Sequence, residues 1–178
     1  MFRLRTGFLF ALAGLGVFLL TACNPSLNWR EVRQKNSPLL ALMPCKPEAS
    51  SRAVNLGGQD VLMNLNSCDA AGATFVVGTA EMQTTEATVA LKHWQQAVLA
   101  NISVPLANGG AKTAGIKISG VPAAQHLLSV NGKRPGGETV QFAGLWFAHG
   151  AQVFHAAVYA DQLGNDMSEP FFNGLKLQ

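Results

Sequence analysis

The sequence predicts an α+β domain in which helices pack on an antiparallel β-sheet. Three observations lead there. Between positions 29 and 82, short alternating or apolar runs are separated by turn residues, as in a meander. From Ala87 to Ile102 the apolar period lengthens to that of a helix. The apolar runs 139–148 and 152–160 then flank His149-Gly150, the layout of a tight hairpin.

Taken in order, Trp29-Arg30-Glu31-Val32-Arg33 alternates and reads as a first strand, and the apolar run 39–43 is stopped by Pro44. A strand over 52–56 meets Gly57-Gly58-Gln59, a hairpin turn, and leads into a longer strand over 60–67. Asp69-Ala70-Ala71-Gly72 makes the next turn, before a strand over 73–82 rich in Phe75, Val76 and Val77. The period changes at Thr84. Ala87, Leu91, Trp94, Val98 and Ile102 fall on one side of a helix capped by Thr84 or Thr85, while Lys92, His93, Gln95 and Gln96 lie elsewhere on the wheel.

Residues 103–123 read as a long loop, with Asn108-Gly109-Gly110 and one short Ile116-Lys117-Ile118 segment. A strand over 125–130 ends at Asn131-Gly132. In the hairpin that follows, pairing Ala148 with Ala151 sets the register. One face then carries Val140, Phe142, Trp146, Val153, His155 and Tyr159, and the other Leu145, Phe147, Phe154 and Val158. Both faces are apolar, which predicts a central hairpin covered on both sides. Ser168-Glu169-Pro170 starts a closing helix, with Pro170 in its first turn and Phe171, Phe172 and Leu175 packed on the sheet. Residues 29–178 are thus expected to form a single globular domain.

Ahead of this domain, Met1-Phe2-Arg3-Leu4-Arg5-Thr6 precedes an apolar run over 7–20, and Leu20-Thr21-Ala22-Cys23 follows. A basic start, a short apolar stretch and small residues before a cysteine are the layout of a secretory signal peptide, here over residues 1–22. The Leu-Thr-Ala-Cys ending resembles the bacterial lipobox, which implies cleavage before Cys23, acylation of Cys23 and a lipidated tether over 23–28. The apolar run is shorter than the roughly 20 residues a membrane-spanning helix needs. An uncleaved anchor, or a secreted protein cut elsewhere, are the alternatives. Asn24 stands where the enterobacterial inner-membrane retention pattern has an aspartate, so the expected location is the outer membrane, facing the periplasm. Residues 24–28 reach at most about 17 Å when extended, which keeps the domain close to the bilayer.

Removing residues 1–22 leaves 156 residues, enough for one sizeable core, and lowers the basic count from 13 to 11 against 10 acids. A mature net charge of +1 argues against a nucleic-acid binder, which needs a basic face, so no nucleic-acid partner is expected. With Cys23 assigned to lipid, Cys45 and Cys68 form an even pair in an oxidising compartment. An up-down-up meander brings both to the same end of the sheet, and a bridge there stabilises by roughly 3 kcal/mol. Two buried free thiols are the plain alternative. A catalytic Cys45 is opposed by the absence of a histidine at suggestive spacing and by the rigid Pro44 and Pro47.

No enzyme is expected, and no catalytic residue, metal ligand set or cofactor is assigned. His93, His126, His149 and His155 form neither an HxH nor an HExxH spacing. No G-x-S-x-G elbow occurs, and the glycine pairs at 57, 109 and 136 differ from the phosphate-binding patterns. The expected register places His155 opposite Gly144 and on the face of Tyr159, which makes His155 and Tyr159 a candidate ligand cleft; a hydrogen-bonded core histidine is the alternative. Lys133-Arg134 reads as a solvated loop, or else as a contact for anionic headgroups or an acidic partner.

Leu27-Asn28-Trp29-Arg30-Glu31-Val32, Leu42-Met43-Pro44-Cys45-Lys46-Pro47, Ala73-Thr74-Phe75-Val76-Val77-Gly78-Thr79-Ala80 and Phe171-Phe172-Asn173-Gly174-Leu175-Lys176-Leu177 resemble a family of uncharacterised lipoproteins from betaproteobacteria. The order of elements also resembles the PsbP-like α/β sandwich. That resemblance implies an antiparallel sheet with helices on its faces and an accessory or binding role, and carries over no catalytic residue. The expected function is therefore a membrane-anchored envelope lipoprotein with a non-enzymatic binding or accessory domain, its partners being the bilayer through Cys23 and an envelope protein. The alternative is a lipid or small-ligand binding module with a cleft between sheet and helix.

Overall fold

Two sheets of unequal size carry the molecule. The computed structural model describes residues 27–83, 87–105, 112–121 and 125–178; the expected signal peptide, Cys23 and the cap at Thr84 or Thr85 lie outside them. In chain order the elements are β1 (Arg30–Arg33), β2 (Leu39–Met43), β3 (Glu48–Leu56), β4 (Gln59–Ala70), β5 (Ala73–Glu81), α1 (Ala87–Asn101), β6 (Lys112–Ile116), β7 (Gln125–Lys133), β8 (Thr139–His149), β9 (Gln152–Ala160), α2 (Asn165–Asn173) and β10 (Lys176–Leu177). The large sheet runs β3-β4-β5-β9-β8-β7-β6 and the small one β1-β2-β10, antiparallel throughout.

This architecture corrects the expected fold class. The described residues are β-rich, with ten strands against two helices, and not an α+β or PsbP-like arrangement of helices packed on a sheet. The physical reason lies in what covers the sheet. On one face Phe75, Val77, Leu145, Phe147, Phe154 and Val158 pack with Leu39, Ala41 and Met43 of the small sheet, joined by Phe171 and Phe172. Sheet-on-sheet packing of this kind interdigitates two apolar faces. The opposite face is covered by α1, whose buried Ala90, Trp94 and Leu99 meet Met63, Ala80, Val153 and Phe142.

The alternating and apolar runs became strands longer than their apolar cores. β3 begins at Glu48 rather than at 52, because Ser50, Ser51 and Arg52 pair with β4 although their side chains are exposed. Gly57 and Gly58 turn this hairpin at φ +65° and +90°, the left-handed pair that a two-residue I′ turn requires. α2 also starts early, at Asn165, so Pro170 sits inside the helix rather than in its first turn. β10 had no sequence pattern of its own; two residues pairing with Leu39 and Leu40 are too few to show one.

β8 and β9 are neighbours at the centre of the large sheet, but in a different register from the expected one. His149 pairs with Gln152, and the two-residue turn is Gly150-Ala151, with Gly150 at φ +60°. That is the first central position at which a II′ hairpin turn favours glycine. The register shifts by two residues, so every side chain keeps its face but changes its cross-strand neighbour. His155 stands opposite Trp146, and Gly144 opposite Ala157.

Candidate functional site

The expected pairing of His155 and Tyr159 on one face of β9 is present, but aromatic rings fill the space around them. Trp146 stacks on His155 with centroids 4.5 Å apart and planes at 12°, and Trp94 of α1 meets the imidazole edge-on at 5.5 Å. Phe142 bridges the two residues, 6.4 Å from His155 and 4.9 Å from Tyr159. Gly144 makes room for a ring, as its position suggested, but the rings belong to the protein. A Cβ there would come within 2.2 Å of Phe142 and 2.8 Å of Trp146. Gly78, opposite His155 on β5, makes the same kind of room for Trp94.

His155 is 3% exposed, and its Nδ1 lies 3.1 Å from the Leu145 carbonyl oxygen, so Nδ1 is the donor when the ring is neutral. Nε2, like the indole nitrogen of Trp146, is buried with no partner among the described residues. Burial lowers the His155 pKa to about 4, against the opposing pull of the Leu145 carbonyl. Burial likewise pushes the half-buried Tyr159 phenol up to about 12. Both groups are therefore neutral over the physiological range, which suits a packed aromatic layer.

A cleft between sheet and helix does occur elsewhere. A cavity of about 680 Å³ lies between β6, β7 and β8 on one side and α2 with the segment before it on the other. Buried Ala143 and Phe172 contribute to its lining beside half-buried Leu127 and Leu163, while Lys112 and Glu169 are its exposed charges. Gln141 accepts a hydrogen bond from the Leu163 amide at 2.7 Å, which fixes the chain entering α2. Neither His155 nor Tyr159 lines this cavity. The usable sequence cue was Gln141 itself, the one polar side chain within the apolar run 140–148. The arrangement offers an apolar wall and opposite charges, and the Ser168 hydroxyl in its lining donates to the Gly164 carbonyl at 3.0 Å.

Cys45 and Cys68 form a disulfide, with Cα atoms 6.0 Å apart. The β3–β4 pairing brings them together, because Glu48 stands opposite Ser67 and the two cysteines lie just beyond that pair. Arg134 reaches Asp161 at 3.4 Å, and Lys133 remains exposed. His93 and His149 are exposed, on α1 and at the end of β8. Among the described residues no helix is long and apolar enough to cross a membrane, and no three His, Cys, Asp or Glu side chains group as metal ligands do. No known family model matches the chain, and no curated protein is similar to it.

Proposed function

We propose that the protein is an envelope lipoprotein, cut before Cys23, acylated there and held at the outer membrane with its domain in the periplasm, where it binds a partner and catalyses nothing. The observation that carries this reading is the Cys45–Cys68 disulfide. It belongs to an oxidising compartment, and it leaves Cys23 as the odd cysteine of three, standing at the end of a lipobox-like sequence. The tether is short as well. The Asn28 amide donates to the Pro44 carbonyl at 2.6 Å, so the fold already holds the chain five residues after Cys23. More than one acyl chain gives stable anchoring.

Radiolabelled palmitate should enter the wild-type protein and not Cys23→Ser. An intact N-terminus at Met1, or cleavage at another site, defeats the anchor. Crosslinking in cells followed by detergent extraction tests the binding role: a reproducible protein neighbour supports it.

The cleft beside α2 favours a second reading, a small amphiphilic ligand held by the apolar wall and met by Lys112 or Glu169 at the surface. Native mass spectrometry of the extracted protein should then show a bound small molecule that Ala114→Trp displaces. Extraction of ligand-free protein at every detergent strength counts against this reading.

A further inference from the structure

β3 ends the large sheet, and among the described residues it pairs only with β4. Its nine residues are all exposed apart from Val54 and Leu56. The strand carries no proline, and residues 49, 50, 51 and 53 are alanine or serine, so little stands in the way of a further strand. Glu48 and Arg52 are its only charges, four residues apart and therefore on the same face.

The turn determines which backbone groups are free. Gly57-Gly58 is a two-residue loop closed by Leu56 opposite Gln59, and in such a hairpin the closing pair is hydrogen-bonded. Alternation along the strand then commits residues 48, 50, 52 and 54 to β4. Residues 49, 51, 53 and 55 turn their N–H and C=O groups outward.

We infer that this edge is the docking surface for the same edge of a second copy, in an antiparallel two-fold dimer with Ser50 opposite Ser50. Residues facing each other across the new seam must both be outward-bonding or both inward-bonding, so their numbers add to an even total. A total of 100 sets Glu48 against Arg52 of the second copy, twice by symmetry, with residues 49 and 51 making the hydrogen bonds. A total of 96 sets Glu48 on Glu48, and 104 sets Arg52 on Arg52. A total of 98 leaves Glu48 against Ser50, and 102 leaves it against Val54. One register alone pairs opposite charges, and it does so in non-hydrogen-bonded pairs, where side chains approach most closely. The closed two-fold uses up the β3 edge of both copies.

The dimer is independent of the lipid anchor, so the two fail separately. In full-length protein extracted in detergent, Ser50→Cys should form a reductant-sensitive dimer under mild oxidation, because a non-hydrogen-bonded pair has Cα atoms about 4.5 Å apart, within disulfide range. Ala53→Cys should not, since its two copies lie six residues out of register, about 20 Å along the strand. Arg52→Glu should weaken dimerisation in sedimentation equilibrium by about tenfold or more, by placing like charges opposite each other twice. Adding Glu48→Arg to it should restore the dimer. A wild-type monomer at all concentrations, equal crosslinking from positions 50 and 53, a Ser50→Cys adduct of another protein's mass, or no rescue by the double variant would each overturn the inference.

Discussion

The imidazole of His155 lies face to face with the indole of Trp146, 4.5 Å between centroids and 12° between planes. Trp94 faces it from α1, Phe142 from β8 and Gly78 from β5. An imidazolium there would exchange water for rings and one carbonyl. The pKa near 4 expresses that cost, and it makes acid the first threat to this half of the core.

The sign follows from proton counting. Between pH 6.5 and about 4 the unfolded chain binds a proton at His155 that the folded chain refuses, so stability falls as pH falls through that window. The shift corresponds to about 3 kcal/mol, fully present above pH 6.5 and gone below pH 4. Denaturant unfolding of wild type and His155→Phe across this range should show wild type alone losing this stability, so that the gap between the two shifts by about 3 kcal/mol between pH 6.5 and 4. Parallel pH profiles would assign the acid sensitivity to the carboxylates instead.

Tyr159 allows a cleaner optical test, because it is the single tyrosine in the chain. Its phenol should not ionise at pH 10 to 11 in the folded protein, and tyrosinate absorbance should rise only towards pH 12 or on unfolding. The unfolded chain loses this proton near pH 10, so stability is full below that and declines as pH rises towards 12. A titration midpoint at 10 in folded protein would place the ring in water.

Much of the arrangement was legible where burial wrote a period into the chain. The face assignments of β8 and β9 hold for all ten side chains because a strand's period of two survives any even slip in register. The slip itself was not legible: His149-Gly150 and Gly150-Ala151 are both possible two-residue turns, and the preference of a II′ turn for glycine at its first position decides between them. The fold class failed for another reason. Residues 30–33 and 39–43 were readable as strands, but nothing in their pattern says that they pair with each other and with the two-residue β10 in a sheet of their own, apart from the meander. The cleft depended on how α2 lies across β7 and β8, which local pattern does not encode. The disulfide was readable because the meander itself brings both cysteines to one end.

That disulfide should contribute measurably. Its loop spans a sequence separation of 23, and closing a loop of this size restrains the unfolded chain by about 3 kcal/mol in the entropic model. Cys68→Ala, with Cys45 also replaced by alanine to avoid a free thiol, should lower stability by about that amount. In wild type, thiol reagents should leave both residues unlabelled in denaturant until reductant is added. Ready labelling without reductant would show that the bridge does not form in the purified protein.

Trp94 and Gly78 make the most specific packing prediction. The indole is 5% exposed, and a Cβ on Gly78 would lie 2.8 Å from its ring, closer than side chains pack. Trp94→Ala should therefore cost about 3–5 kcal/mol, a large part of a domain's marginal stability. His93→Ala, on the exposed side of the same helix, should leave the unfolding midpoint almost unchanged. Gly78→Ala should also destabilise, because the indole or the Leu65 side chain 2.9 Å away must move. The two costs should not add. With the ring already gone, the close neighbour left to an alanine at 78 is the flexible end of Leu65, so Gly78→Ala should cost much less in the Trp94→Ala background. A double-mutant cycle that closes additively would mean that the helix does not lay Trp94 over Gly78.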